Sequence, residues 1–148
     1  MLNQNLHSSG TVVYTGGTFD LPHHGHFRLL QRAHDFGRVV VGLNTDEFIF
    51  QYKGKAPIMS FDERKEILMA CRWVDEVVPN YGGADSKIAI DIVKPDYIII
   101  GSDWARRDYY SQMGFNQDWL DARGIGLIYV PYTAGISSTD LKTRMDKK

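Results

Sequence analysis

Two histidines, His23 and His26, follow a glycine-rich turn and stand where a helical pattern begins. Gly16 and Gly17 allow a tight turn and let a ligand approach the main chain closely. The start of a helix offers unpaired N–H groups and the positive end of its dipole, which together favour an anion. Imidazoles at this point can donate hydrogen bonds to phosphoryl oxygens, and Gly25 between them keeps side-chain bulk away. The pattern predicts a site for phosphoryl or nucleotidyl transfer, where catalysis is mostly positioning and electrostatics.

Zinc binding is the competing interpretation of the two histidines, and it requires a third or fourth ligand. The other histidines are His7, His24 and His34, which are interpreted as ordinary surface residues. Cys71 is isolated inside an apolar helical pattern. We therefore expect no metal site built from protein side chains.

A second hydroxyl-rich segment, Ser137 to Thr139, opens the last helical pattern of the chain. Ser137 and Asp140 have the spacing of a helix cap, so one hydroxyl has a structural use. The remaining hydroxyls and the free N–H groups of the helix start can hold a β- or γ-phosphate. Phosphate binding and simple helix capping both fit this segment.

Short apolar runs rich in β-branched or aromatic residues predict the strands that position these motifs. They cover residues 11–14, 39–43, 97–100 and 127–130, and a weaker run over 76–78 is predicted as a short extra strand. Helical patterns lie after Gly25 up to Gly37, from Ser60 through Cys71, over Ser86–Val93, over 118–122 and from Ser138 onward.

Strands that alternate with helices indicate a parallel sheet covered on both faces. We predict an α/β fold, namely a single-domain, Rossmann-like three-layer sandwich with a parallel sheet. Ligands in such folds bind beyond the carboxyl ends of the strands, where the strand order reverses. Lys53 and Lys55, in a segment interpreted as a loop, follow a strand's carboxyl end and so lie at the edge where ligands bind. The alternative interpretation is that both lysines are solvated surface residues without a role in the site.

Bulk properties exclude several classes of function. The chain has 148 residues and a formal net charge of −1, so it lacks the general basic field that a nucleic-acid partner requires. No apolar run approaches the ~20 residues that span a bilayer, and we expect no membrane association. One cysteine favours a reducing compartment. We predict a cytoplasmic protein with a disordered leader over 1–10 and a nucleotidyltransferase domain over 11–148.

The segment 17–26 resembles the GTFDxxHxGH signature of the cytidylyltransferase-like nucleotidyltransferases, the HxGH superfamily. The segment 133–139 is similar to the family's RTEGISTT motif, and 71–77 resembles its RYVDEV stretch. Over residues 11–142 the likeness is nearest to the small single-domain glycerol-3-phosphate cytidylyltransferases. The resemblance implies a homodimer and a small-molecule reaction.

The family pattern implies roles for individual residues. The implied catalytic residues are His23, His26 and Lys53. The implied nucleotide-binding residues are Gly17, Thr18, Phe19, His23, Gly25, His26, Lys55, Arg72, Asp103, Thr133, Gly135, Ile136, Ser137, Ser138 and Thr139. The implied acceptor-binding residues are Asp20, Lys53 and Lys87. Arg64 and Arg72 are predicted on one side of one helix, with Arg64 orienting the site, and Arg106 and Arg107 are weaker acceptor candidates.

The implied reaction joins CTP and an alcohol phosphate, with sn-glycerol 3-phosphate favoured, into a CDP-alcohol and pyrophosphate. The acceptor's phosphate oxygen attacks the α-phosphorus directly, so no covalent enzyme intermediate is needed. Mg²⁺ is expected to arrive with the NTP, held mainly by phosphates and water.

Two departures from the family pattern leave an alternative open. Tyr132 occupies the position of the second motif's Arg, and Ser102 replaces an Asp of a Gly-Asp-Asp-Trp-like turn. They motivate an adenylyltransferase that uses ATP on a sugar phosphate or a flavin-type phosphate. A non-catalytic nucleotide-binding module is the alternative of another class, and the intact histidines argue against it.

Overall fold

The structure is a computed structural model that describes residues 10–82, 86–102, 110, 113–131 and 133–146. Its strands are β1 (Val12–Gly17), β2 (Arg38–Asn44), β3 (Glu76–Asn80), β4 (Tyr97–Gly101) and β5 (Gly126–Val130). Its helices are α1 (His24–His34), α2 (Asp46–Lys53), α3 (Phe61–Met69), α4 (Ser86–Val93), α5 (Gln117–Ala122) and α6 (Ser138–Asp146).

The five strands form one parallel sheet in the order β3-β2-β1-β4-β5. The chain runs outward from β1 to β3, returns across the sheet and continues outward on the other side with β4 and β5. The strand order therefore reverses between β1 and β4, which is where open α/β sheets bind their ligands.

Helices cover both faces of the sheet because side chains alternate along each buried strand. On β1, Val13 packs on one face together with Leu30 of α1 and Leu68 of α3. Tyr14 packs on the other face together with Ile90 of α4 and Leu120 of α5. The prediction of an α/β three-layer sandwich with a parallel sheet is confirmed.

The segment that carries Lys53 and Lys55 differs in part from the predicted loop, because Lys53 is the last residue of helix α2. The Thr45 hydroxyl accepts the Phe48 N–H at 3.2 Å and caps the helix start. Gly54, at φ +74°, ends the helix, and its N–H donates to the Phe50 carbonyl at 2.8 Å. Lys53 thus lies on the last turn of a helix.

The prediction that Arg64 and Arg72 share one helix side is wrong. Helix α3 ends at Met69, where the N–H of Ala70 donates to carbonyls of the last turn. Arg72 lies beyond it, in the turn that leads into β3.

Among the described residues, no helix combines the length and the apolar character needed to cross a membrane. The predicted leader over 1–10 lies, except for Gly10, outside those residues. The extent of the domain over 11–148 stays a prediction.

Candidate active site

A cavity of about 230 Å³ opens beyond the carboxyl ends of β1 and β4, at the reversal of the strand order. It is walled by the turn after β1, the start of α1 and the segment between β5 and α6. The predicted site residues that line it are Gly17, Thr18, Phe19, His23, Gly25, His26, Thr133, Ile136, Ser137 and Ser138. Gly16, Leu29, Gly101 and Pro131 complete the lining. The fold therefore brings the two motifs together from opposite ends of the chain.

The two histidines cap helix α1 through reciprocal hydrogen bonds. His23 Nδ1 accepts the backbone N–H of Gly25 at 3.1 Å, and His26 Nδ1 accepts the backbone N–H of His23 at 3.2 Å. A neutral imidazole whose Nδ1 accepts a hydrogen bond carries its proton on Nε2. Each ring therefore offers its Nε2–H as a hydrogen-bond donor in the cavity wall.

Burial keeps these imidazoles neutral. It lowers the pKa of His26 to about 3, with a smaller contribution from His23. Burial also lowers the pKa of His23, and His24 contributes to that shift. At neutral pH both rings can therefore donate hydrogen bonds to an anion without carrying a charge of their own.

Gly25 allows the first motif to pack against the second. A Cβ atom at this position would lie 2.9 Å from Cε1 of His23 and 3.2 Å from Cγ2 of Ile136. Both distances are shorter than an ordinary van der Waals contact. Only glycine leaves the His23 ring and the buried Ile136 side chain where they are.

Phe19 forms the support behind His26. Its buried ring lies 4.9 Å from the His26 ring, centroid to centroid, and a Cβ atom at Gly17 would approach the Phe19 ring to 2.8 Å. Phe19 and Leu21 have φ values of +52° and +51°, a conformation that costs energy in residues other than glycine. This backbone turns the intervening Asp20 inward.

Asp20 is buried and connects three segments. One carboxylate oxygen accepts the Ile58 N–H at 2.8 Å and the other accepts the Met59 N–H at 3.0 Å. Lys142 of α6 forms an ion pair with it at 3.3 Å. Burial alone would raise the pKa of Asp20, but these backbone N–H groups and Lys142 outweigh it and hold the pKa below its usual value. The structure gives Asp20 protein partners, and its predicted contact with the acceptor stays a prediction.

The hydroxyl-rich segment caps α6 and also contacts the first motif. Ser137 Oγ accepts the Asp140 N–H at 2.9 Å, so the capping interpretation of Ser137 is confirmed. Ser138 Oγ donates to the Asp20 carbonyl. Gly135, at φ +82°, and Thr139 are exposed beside the cavity and do not line it.

Arg64 is fully buried below the site and holds its loops in place. Its guanidinium donates to the carbonyls of Met59, Thr18 and Asn44 at 3.0, 2.7 and 2.9 Å. It also pairs with Asp46, at the start of α2, at 2.6 Å. These contacts give Arg64 the orienting position that the sequence predicts.

The other predicted basic residues do not line the cavity in the part of the chain that the structure describes. Lys53 and Lys55 are exposed at and after the end of α2, and Lys53 Nζ lies 5.7 Å from the centroid of the Tyr52 ring. Lys87 Nζ lies 6.0 Å from the centroid of the Trp119 ring. Arg72 precedes β3 at the amino edge of the sheet, opposite the cavity, so the structure does not bring it to the site.

Some predictions fall at the border of the described residues. Ser102 is exposed at the end of β4. Asp103, Arg106, Arg107 and Tyr132 lie outside the residues that the structure describes.

The sequence analysis assigns no role to two amides that the structure buries, Asn44 and Asn80. Each ends a strand at the cavity side of the sheet, and they are 8% and 2% exposed. A polar amide that ends an otherwise apolar strand is a recognisable signal for such residues.

Comparisons with known proteins show the family of this chain. A family model described as "Cytidylyltransferase-like" matches residues 14–144. The chain belongs to the cytidylyltransferase-like family. It is similar to the glycerol-3-phosphate cytidylyltransferase of Bacillus subtilis (strain 168), with 39% identity over 131 residues, 88% of this chain and 93% of the relative. It is also similar to the glycerol-3-phosphate cytidylyltransferase of Staphylococcus aureus (strain NCTC 8325 / PS 47), with 34% identity over 134 residues, 90% and 93% of the two chains.

A solved structure shows the same fold. The lipopolysaccharide core biosynthesis protein of Thermoplasma volcanium GSS1 superimposes with a TM-score of 0.66 at 22% identity, over 83% of this chain and 98% of that chain. The predictions of the cytidylyltransferase-like family and of an enzyme of the nucleotidyltransferase class are confirmed.

Proposed function

We propose that this cytidylyltransferase-like enzyme transfers CMP from CTP to an alcohol phosphate, with sn-glycerol 3-phosphate as its acceptor. The observation that carries the proposal is the pair of neutral Nε2–H donors, His23 and His26, at a helix start in the cavity wall. The names of the relatives supply the acceptor, since glycerol-3-phosphate cytidylyltransferases match the chain over nearly its whole length.

The reaction is an in-line displacement at the α-phosphorus. An oxygen of the acceptor's phosphate forms the new P–O bond, and the bond from the α-phosphorus to the bridging oxygen breaks to release pyrophosphate. Negative charge develops on the phosphoryl oxygens and on the leaving group. Hydrogen bonds from His23 and His26 strengthen as this charge grows, which stabilises the transition state selectively.

The second motif is proposed to hold the leaving pyrophosphate. Ser137 and Ser138 line the same cavity as the histidines, and the first N–H groups of α6 favour an anion. Thr139 and Gly135 flank this wall and complete the proposed contact surface.

Lysine ammonium groups are proposed to neutralise the substrates from outside the cavity. Lys53 and Lys55 are exposed, on and just after the last turn of α2, and their long side chains are free to change rotamer. Lys53 is assigned to the acceptor phosphate or the α-phosphate, and Lys55 to the nucleotide. Asp103 is proposed as a nucleotide contact on the family resemblance, and Lys87 is proposed as an acceptor contact.

Mg²⁺ is proposed as part of the nucleotide substrate. Among the described residues, no group of three or more His, Cys, Asp or Glu side chains is arranged to hold a metal ion. We therefore place the ion on the triphosphate oxygens and water, which suits the octahedral preference of Mg²⁺.

We also propose a homodimer that works in the cytoplasm. The dimer is what the family resemblance implies. Helix α4, which contacts the edge strand β3, also exposes two apolar side chains one turn apart, Ile88 and Ile92. Light scattering of the wild type and of Ile92→Lys tests the dimer.

The free thiol of Cys71 supports the proposal of a reducing compartment, and cell fractionation tests it.

The proposed function is tested by pyrophosphate release from CTP, ATP, UTP and GTP, each with Mg²⁺ and a panel of alcohol and sugar phosphates. We expect release with CTP and glycerol 3-phosphate, slowed about 10²–10³-fold in His26→Asn and retained in the exposed control His24→Asn. Release with ATP alone would overturn the choice of nucleotide and acceptor. Nucleotide binding without turnover across the panel would favour a binding module.

A further inference from the structure

The carboxyl ends of three neighbouring strands are joined by side-chain hydrogen bonds. Asn80, at the end of β3, donates through Nδ2 to Oδ1 of Asn44, at the end of β2, at 2.9 Å. Asn44 Nδ2 donates to Thr18 Oγ1, just beyond β1, at 3.0 Å. Thr18 lines the cavity, so this chain of bonds runs from the sheet edge to the substrate site.

A backbone donor fixes the direction of every bond in this chain. The N–H of Gly82 donates to Oδ1 of Asn80 at 3.3 Å, and a backbone N–H can only donate. The Asn80 amide must therefore present its NH₂ group to Asn44, and Asn44 must present its own NH₂ group to Thr18. Thr18 Oγ1 accepts that bond and still has one proton and one further lone pair to use.

The Tyr52 hydroxyl uses one of these two, either the lone pair or the proton of Thr18. Its oxygen lies 2.9 Å from Thr18 Oγ1, and either oxygen can donate. When Tyr52 donates, the Thr18 proton is left for a ligand in the cavity. When Thr18 donates, its hydroxyl has no proton to offer, so a bound phosphate oxygen favours the first arrangement.

The position of Tyr52 is set by packing as well as by this bond. The Phe48 ring lies 5.0 Å from the Tyr52 ring, centroid to centroid. Phe48 in turn packs on Gly82, where a Cβ atom would lie 2.1 Å from the ring and where φ is +80°. Because Tyr52 lies on the last turn of α2, the same contacts hold the turn that carries Lys53.

We infer that Tyr52 is a positioning residue, whose hydroxyl directs the Thr18 proton into the cavity and fixes the end of α2 against the first motif. Tyr52 does not itself belong to the described cavity lining. The inference rests on the proposed function, because it takes a nucleotide phosphate as the ligand of the cavity.

A double-mutant cycle of Tyr52→Phe and Thr18→Val tests this inference, with CTP affinity measured by calorimetry and kcat/KM for CTP measured alongside. Loss of one directed hydrogen bond predicts that Tyr52→Phe weakens both quantities about three- to tenfold. In the Thr18→Val background the same substitution should change neither, because the group through which it acts is gone. Tyr129→Phe is the matched control, since Tyr129 and Tyr52 are both 42% exposed, and it should behave as the wild type.

Urea unfolding of each variant separates positioning from a general loss of structure. Tyr52→Phe should keep the wild-type midpoint while losing CTP affinity. An equal effect of Tyr52→Phe in both backgrounds, or no effect in either, would overturn the inference. A wild-type chain that binds CTP without releasing pyrophosphate would overturn the proposed function alone. The coupling between Tyr52 and Thr18 could then still be measured from CTP affinity. A wild type that binds none of CTP, ATP, UTP and GTP would overturn both.

Discussion

The imidazole rings of His23 and His26 stack with their centroids 3.9 Å apart, and the backbone N–H of His23 donates to Nδ1 of His26. The same two side chains therefore cap helix α1 and present their Nε2 atoms as donors. The helix cap uses Nδ1 of each ring, and the proposed hydrogen bond to substrate uses Nε2. Substitutions can therefore separate the structural role from the chemical one.

His26→Asn and His26→Gln are expected to differ in activity. Asn places an amide atom near the position of Nδ1 and can keep the helix cap, but it has no donor near Nε2. Gln places its amide N–H near Nε2 and keeps a donor for the phosphoryl oxygen. We expect kcat to fall about 10²–10³-fold in His26→Asn, as for loss of one transition-state donor, and less in His26→Gln. Steady-state rates of pyrophosphate release give the comparison, and equal losses would contradict the Nε2 donor.

The stability of the protein should depend on the ionisation of His26 in acid. Its pKa is about 3 in the folded chain and takes the usual value of 6.5 in the unfolded chain. Between these two pH values the unfolded chain binds more protons than the folded chain. The stability that comes from neutral His26 is therefore complete above about pH 6.5 and declines as the pH falls. One proton gives a slope of at most about 1.4 kcal/mol per pH unit.

Urea unfolding of wild type and His26→Asn at pH 7.5, 6.5, 5.5 and 4.5 measures this slope. We expect the variant to lose less stability per pH unit than the wild type. His24→Asn, at the exposed neighbouring histidine, is the control and should keep the wild-type slope. Identical slopes in all three proteins would show that His26 does not titrate differently on folding.

Two ion pairs on α6 should contribute unequally to stability. Lys142 pairs with Asp20, whose side chain is 3% exposed, whereas Arg144 and Asp140 are 58% and 43% exposed. Among the described residues, removal of Lys142 leaves the buried carboxylate with the two backbone donors Ile58 and Met59, so we expect Lys142→Met to cost about 1–2 kcal/mol of unfolding free energy. Arg144→Met, which removes a surface pair, should cost less than about 0.5 kcal/mol. Urea midpoints of the two variants test the ranking, and a reversed order would contradict it.

The sequence was sufficient for the sheet and the first motif, because short apolar runs and turn residues mark buried strands directly. It predicted His23, His26 and Gly25 from local spacing, since one turn of a helix start fixes their relative positions. Helix α2 was missed although Thr45 and Gly54 carry its capping signals, because the charged end of the helix suggested solvated loop.

Contacts between distant segments could not be predicted from spacing. The partners of Asp20 come from the loop before α3 and from α6, so its burial depends on how three segments pack. The Tyr52–Thr18 bond likewise joins α2 to the turn after β1. For Arg72 the spacing itself misled the prediction. A helix that continued for eight residues beyond Arg64 would place Arg72 on the same side, but α3 ends at Met69.

Gly25→Ala is expected to lower activity although alanine favours a helix over glycine by ~1 kcal/mol. The new Cβ would lie 2.9 Å from His23 Cε1 and 3.2 Å from Ile136 Cγ2, so either the ring or the second motif must shift. A displacement of a catalytic group by about 1 Å can cost about 10²-fold in rate, and we expect kcat to fall by that order. Gly124→Ala is the complementary control, because its φ of +66° disfavours alanine while, among the described residues, none beyond its chain neighbours lies within 4 Å of the new Cβ. Gly124→Ala should lower the urea midpoint and keep the wild-type kcat. A wild-type kcat for Gly25→Ala would instead show that the contact between the two motifs tolerates a methyl group.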